Sequence, residues 1–241
     1  MLLELLESLD TDLLNINSPY SFGSIQVPRV TEVLSAMLHE EYLMDWANRV
    51  GLYQRKSHVY YRDRAATIGT YVHNAIERYV SIGEDLDISS IPSEYRNKVN
   101  NAFSGFKLWW NNITTNHKHK VIFQEYTLVC QYYGGTLDLL LEVDGKIYLI
   151  DFKTSNYPSY KYFLQLSAYR YMLRMIEGIE VDGCFILMLD KDKPSFKEMF
   201  LDCYNQDQLI FINQCETTFH SIVYSYYNRM NTENMYNKLY A

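Results

Sequence analysis

Asp144-Gly145 stands between two apolar runs, Leu137–Val143 and Ile147–Phe152, and this feature constrains the fold more than any other in the chain. Asp-Gly in that setting signals a two-residue type I′ turn, because both turn positions need positive φ. With those residues as the loop, Val143 pairs with Lys146. Counting back along the hairpin places Asp138 opposite Asp151, and Thr136 opposite Lys153, on one side of the sheet. Directly opposed side chains have Cβ atoms about 4.5–5.5 Å apart. Two carboxylates at that range repel. A shared proton, a bound cation or an ion pair with Lys153 would each relieve the repulsion. An exposed hairpin with scattered charges is the plainer alternative, but the flanking runs are too apolar for it.

Hard divalent cations take carboxylate, carbonyl and water ligands, and two convergent carboxylates supply part of such a shell. A cation here would bind a phosphate oxygen and make hydroxide available near neutral pH. Lys153 then stands where it can position water and offset charge growing on phosphorus. These are the parts that phosphodiester hydrolysis needs.

The remaining pattern predicts helices, three strands, a helix, two strands and a helix. Thr31 is read as the cap of a helix running to about Val50, with Trp46 on its apolar side. A second helix covers Asp63 to Ser81, and a third leads through Pro92 to about Asn112. Strands begin at Lys120, a long helix covers Tyr160 to Ile176, and a final helix covers Gln206 to Arg229. This order implies an α/β class with a mixed central β-sheet flanked by helices, and helical N-terminal additions. With 48% hydrophobic and 21% charged residues the chain can bury a sizeable core. The domain reading is an acidic N-terminal helix and linker over 1–26, one enzymatic domain over 27–230, and a C-terminal tail over 231–241.

The formal charge of −7 argues against a polyanionic partner until its distribution is considered. Residues 1–45 hold eight acids against Arg29 alone, so the rest of the chain is balanced. Within that remainder Arg49, Arg55, Lys56, Arg62 and Arg64 oppose only Asp63, a basic strip or a solvated face. The four cysteines show no CxxC pair, which points to a reducing compartment and to no iron–sulfur or zinc site. No apolar run reaches membrane-spanning length. A cytoplasmic location is expected.

Gly134-Gly135-Thr136-Leu137-Asp138, followed by Asp151-Phe152-Lys153-Thr154, resembles the PD-(D/E)xK nucleases and specifically their RecB-like exonuclease branch. Gln165-x-x-x-Tyr169 on the following helix and Gly69-Thr70-x-x-His73 upstream also match. The segment Val27–Ser35, with Trp46 and Gly51, is similar to phage-encoded and mitochondrial genome-maintenance exonucleases. The resemblance spans about Val27 to Ile176 and implies a restriction-endonuclease-like core. It implies a Mg²⁺- or Mn²⁺-dependent exonuclease acting on single-stranded or frayed DNA ends in replication, recombination or repair. Its metal ligands would be His73, Asp138, Asp151 and the Phe152 carbonyl.

Read from residues alone, His73 is a helix-surface or core histidine on one face with Gly69 and Glu77; the resemblance makes it a ligand. Gly69 is expected to admit a close helix–sheet approach. Glu125, in the strand before the hairpin, either assists the metal and the attacking water or ends in a salt bridge. Gln165 and Tyr169, four apart on one helical face, point at the bound strand or at Lys153. Arg64 is a candidate substrate contact. His117-Lys118-His119-Lys120 reads as a solvated turn. Tyr157, Tyr160 and Tyr162 are candidates for stacking on unpaired bases. Related iron–sulfur nucleases, including CRISPR-associated ones, carry a cysteine pattern this chain lacks. The acidic N-terminus is a candidate dock for a replication or recombination partner. Two rivals remain open: a structure-specific endonuclease or resolvase on the same fold, and a non-catalytic nucleic-acid-binding scaffold.

Overall fold

The computed structural model describes residues 16–38 and 57–240. Its middle layer is a five-stranded mixed sheet built from β3 (His119–Val129), β4 (Gly134–Val143), β5 (Lys146–Lys153), β6 (Gly183–Leu189) and β7 (Phe196–Asp202), adjacent in that order. Neighbours pair antiparallel except β5 and β6, which run parallel. A parallel pair needs a crossover, and α4 (Lys161–Met172) supplies it. A small hairpin, β1 (Ser21–Phe22) with β2 (Ile25–Gln26), lies in the turn-rich stretch before the first described helix.

Side-chain alternation along the strands divides the core in two. On one face Leu139, Leu141, Ile150, Phe152, Leu187 and Leu189 pack against α2 (His58–Ile82) and α3 (Ser93–Asn116). On the other, Leu140, Leu149, Cys184, Ile186 and Met188 pack against α1 (Val30–Met37), α4 and α5 (Gln206–Tyr240). Burial of both faces explains why β4 and β5 read as continuous apolar runs.

Several boundaries differ from the sequence expectation. Thr31 lies inside α1, whose cap is Arg29 with no side-chain bond, and the helix stops when Leu38 turns extended (φ −114°). The expected continuation to Val50, with Trp46, lies outside the described residues, as do residues 1–15 of the acidic N-terminal segment expected over 1–26, and Arg49, Gly51, Arg55 and Lys56. Helix α2 starts earlier than Asp63, because the Ser57 side chain accepts a bond from the Tyr60 N–H. After Met172, α4 widens into a π turn over Leu173–Glu177 and ends at Gly178 (φ 67°). Helix α5 runs past Arg229 to Tyr240, so residues 231–240 continue a helix. No helix among the described residues is long and apolar enough to cross a membrane.

Candidate active site

Asp144 and Gly145 adopt φ of 50° and 81°, the left-handed pair that a type I′ turn requires. The Asp144 carboxylate then accepts from the Lys118 N–H (3.0 Å) and contacts His117 Nδ1 (2.7 Å), tying this end of the hairpin to the segment before β3.

From the turn the ladder holds the expected register, Val143↔Lys146 through Leu139↔Ile150, and there it stops. Past that point β5 continues beside β6, with Asp151↔Ile186 and Lys153↔Met188. The Phe152 N–H donates instead to Asp138 Oδ2, at 2.6 Å. Alternation breaks at the same place: Leu139 joins the α2/α3 core but Leu137 joins the opposite one. The expectation of two acids on one flat face is corrected accordingly. Asp138 inserts its carboxylate where a ladder carbonyl would stand, because a buried N–H must find an acceptor. Nor does Thr136 face Lys153: its hydroxyl pairs with Thr127 Oγ1 (3.1 Å) and Tyr20 OH (3.0 Å).

Glu125 completes the opening. The β3–β4 register passes from Gln124↔Leu139 to Tyr126↔Leu137 and leaves Glu125 unpaired across from Asp138. Glu125 has φ 44°, a left-handed conformation in mid-strand. Such a residue costs about 1–3 kcal/mol and persists only where its surroundings enforce it.

Across the gap lies His73 on α2. Its Nε2 is 3.2 Å from the Phe152 carbonyl oxygen, and its Nδ1 is 3.6 Å from Asp138 Oδ1 and 3.7 Å from Glu125 Oε1. One ligand atom each from His73, Glu125 and Asp138 lie within 4.8 Å of one another. The Phe152 ring is clamped edge-on by Phe106 and Trp109, which fixes the peptide whose carbonyl faces His73. Gly69, one turn before His73, is not needed for close packing: a Cβ there would meet only Thr154 Oγ1, at an ordinary 3.5 Å.

Asp151 stands beside this group with Lys153. Its Oδ2 is paired with Lys153 Nζ at 2.7 Å, while Oδ1 has no hydrogen-bond partner among the described residues, although the side chain is only 1% exposed. Lys153 Nζ also donates to Gln165 Oε1 (3.1 Å), and Gln165 Nε2 donates to Tyr169 OH (3.3 Å). The lysine lies over the Tyr162 ring, 5.1 Å from its centroid. Gly135 makes room for Tyr169, since a Cβ there would sit 2.6 Å from Tyr169 Cε1.

Electrostatics follow from burial and like charge. Burial raises the Asp151 pKa to about 6, with Lys153 opposing and Asp138 adding to the rise. Burial likewise pushes Asp138 up, against His73 and Lys153. For His73, burial pulls downward, but Asp138 and Glu125 outweigh it and carry the imidazole to about 9. Lys153 is held charged against burial by Asp151 and Asp138. A protonated His73 thus offsets the acids at neutral pH. Imidazole, carboxylates and a carbonyl form a donor set suited to a divalent cation, and the partnerless Oδ1 of Asp151 fits one too.

Arg64 is not brought to this centre. It lies nine residues before His73, about 13 Å along the helix, and bonds to the Glu94 carboxylate and carbonyl (both 2.9 Å). Arg62 pairs with Asp63, so little of the basic strip is left on α2. Lys191, which no sequence pattern marked, does reach the site. It lines a cavity of about 270 Å³ with His73, Phe152 and Lys153. Its position depends on the β6–β7 turn returning past Ser155, which no local spacing announces.

Fold and centre define a nuclease, and the comparison with known families agrees. The family model described as the PD-(D/E)XK nuclease superfamily matches residues 47–230. The chain belongs to that superfamily, whose members use divalent metal ions and act on nucleic acid. No curated protein matches it significantly. The crystal structure of SSO0001 is similar at 14% identity, covering 63% of this chain and 73% of that one, with a TM-score of 0.28.

Proposed function

We propose that the protein is a Mg²⁺- or Mn²⁺-dependent deoxyribonuclease, an exonuclease that hydrolyses phosphodiester bonds at single-stranded or frayed DNA ends. The observation that carries the reading is the convergence of His73, Glu125 and Asp138 beside a buried Asp151 that pairs with Lys153 through Oδ2 and has no partner for Oδ1 among the described residues. His73, Asp138, Asp151 and the Phe152 carbonyl would hold the metal, with Glu125 as a further carboxylate ligand or as base toward water. When bound, the metal supplies Lewis acidity and lowers the pKa of water.

The chain's own groups do the rest. Lys153, held between Asp151 and Gln165, presents a fixed positive charge to a phosphoryl oxygen. Gln165 and Tyr169 act through it as positioning residues. Glu125, less buried than Asp138, is placed to take a proton from the attacking water. Oligonucleotides labelled at either end, incubated with Mg²⁺ or with EDTA, test the reading. Circular single strands separate the two modes of attack, since an exonuclease leaves them intact and an endonuclease opens them.

A further inference from the structure

Two cavities meet at the end of β5. The one of about 270 Å³ has His73, Phe152 and Lys153 on its wall, and the other, of about 480 Å³, runs between the 155–158 loop and the β6–β7 turn. Ser155 and Lys191 line both. Lys191, Lys193 and Lys197 edge the larger cavity, and none of them forms an ion pair among the described residues. Lys98 approaches from α3 and pairs with Asp192 at 3.8 Å. The facing acids are Asp190 and Asp192. Asp190 is engaged in its own turn, accepting from the Asp192 N–H (2.8 Å) and the Ser195 hydroxyl (3.3 Å). A local excess of lysine stands out on a chain of net charge −7.

Both walls are anchored. The Tyr162 hydroxyl donates to Ser155 Oγ (2.7 Å), and Ser155 donates to the Tyr157 carbonyl (3.1 Å). Asn101 Nδ2 donates to the Lys191 carbonyl (3.1 Å). On the rim, Tyr157 is 75% exposed. Burial, with repulsion from Lys98, lowers the Lys191 pKa, so a bound anion would be welcome there. A cavity of this size suits a ligand of small-molecule width rather than a duplex.

We propose that this groove is the track of a single-stranded polynucleotide: Lys191, Lys193 and Lys197 contact successive phosphates, and Tyr157 stacks on a base as the strand leaves the centre. The assignment rests on the nuclease reading but concerns only where the strand lies. Cationic grooves with exposed aromatic rings hold single strands without needing sequence. An acidic peptide shares the charge but gives Tyr157 no base to stack on.

The test is fluorescence anisotropy of a labelled oligothymidylate in EDTA, so that binding is read without cleavage, across a range of salt. Lys193→Glu/Lys197→Glu and Tyr157→Ala alter exposed residues, and circular dichroism checks their fold. Loss of two phosphate contacts should lessen the slope of log affinity against log salt by about 1.4. Tyr157→Ala should weaken binding about tenfold with little change in slope. Wild-type affinity and slope in both variants would overturn the proposal. So would competition by polyglutamate equal to that by oligothymidylate, or an equal loss on duplex. Whether the wild type degrades DNA in Mg²⁺ is a separate readout, so the nuclease reading and the groove can fail independently.

Discussion

The Phe152 N–H donates to Asp138 Oδ2 at 2.6 Å, and this bond stands where the β4–β5 ladder would otherwise continue. A side chain thereby replaces a backbone acceptor, and the strands part just where a charged group needs room. Asp138 is therefore both a structural acceptor and a candidate ligand. Asp138→Asn retains an acceptor for that N–H and should fold, whereas Asp138→Leu should lose about 1–3 kcal/mol through the orphaned amide. Urea denaturation of the two variants in EDTA distinguishes them, and equal stability would deny the structural role.

Lys153 and Asp151 form a buried pair. Removing one partner from such a pair costs about 3–5 kcal/mol, because the other charge is left uncompensated. Lys153→Ala should therefore lose cleavage and also be less stable in EDTA. Mg²⁺ should restore some of the loss by supplying positive charge to Asp151, read as a rise in melting temperature. A variant as stable as wild type would count against the pair.

The strain at Glu125 predicts an unusual ranking. Glycine adopts φ near 44° freely while alanine does not. Glu125→Gly should be more stable than Glu125→Ala by about 1 kcal/mol, a reversal of the usual order within strands. Both should lose activity through the missing carboxylate. Chemical denaturation checks the order, and alanine proving the more stable would show the conformation to be unstrained.

His73 sets a pH dependence. Its folded pKa of about 9 lies above the ordinary 6.5, so the stability it contributes is fully present below 6.5 and is lost as pH rises through 9. The groups facing it are Glu125, Asp138, Lys153 and the Phe152 carbonyl. Metal ligation needs the neutral ring, so loading near neutral pH should expel a proton and tighten as pH rises. Calorimetry of Mn²⁺ binding in buffers of different ionisation enthalpy measures that proton. His73→Gln should abolish it, and an unchanged proton count would remove His73 from the ligand set.

Much of this was legible in the chain itself. Asp144-Gly145 dictated the turn and the register down to Leu139↔Ile150, because positive-φ demands and apolar runs act locally. What happens at Asp138 and Glu125 was not legible. A carboxylate replacing a carbonyl, or an unpaired residue in a strand, depends on three strands at once and leaves no periodic trace. Arg64 reads as available only until Glu94, thirty positions away on another helix, is brought against it. Lys191 was hidden for the same reason, since the β6–β7 turn meets β5 only in the folded sheet. Gly135 and Tyr169 were marked by resemblance, and the close approach between them gives that pairing a physical cause.

The most direct test of the metal-dependent nuclease is degradation of end-labelled single-stranded DNA by metal-stripped protein, before and after Mg²⁺ or Mn²⁺ is returned, with Asp138→Asn alongside. Stepwise loss of label by the wild type only with metal, and at least a hundredfold less by Asp138→Asn, is the predicted result, on the scale of about 10²–10³ for losing one preorganised catalytic group. Cleavage that survives EDTA or the substitution, or a wild type inert with both metals, would contradict the account.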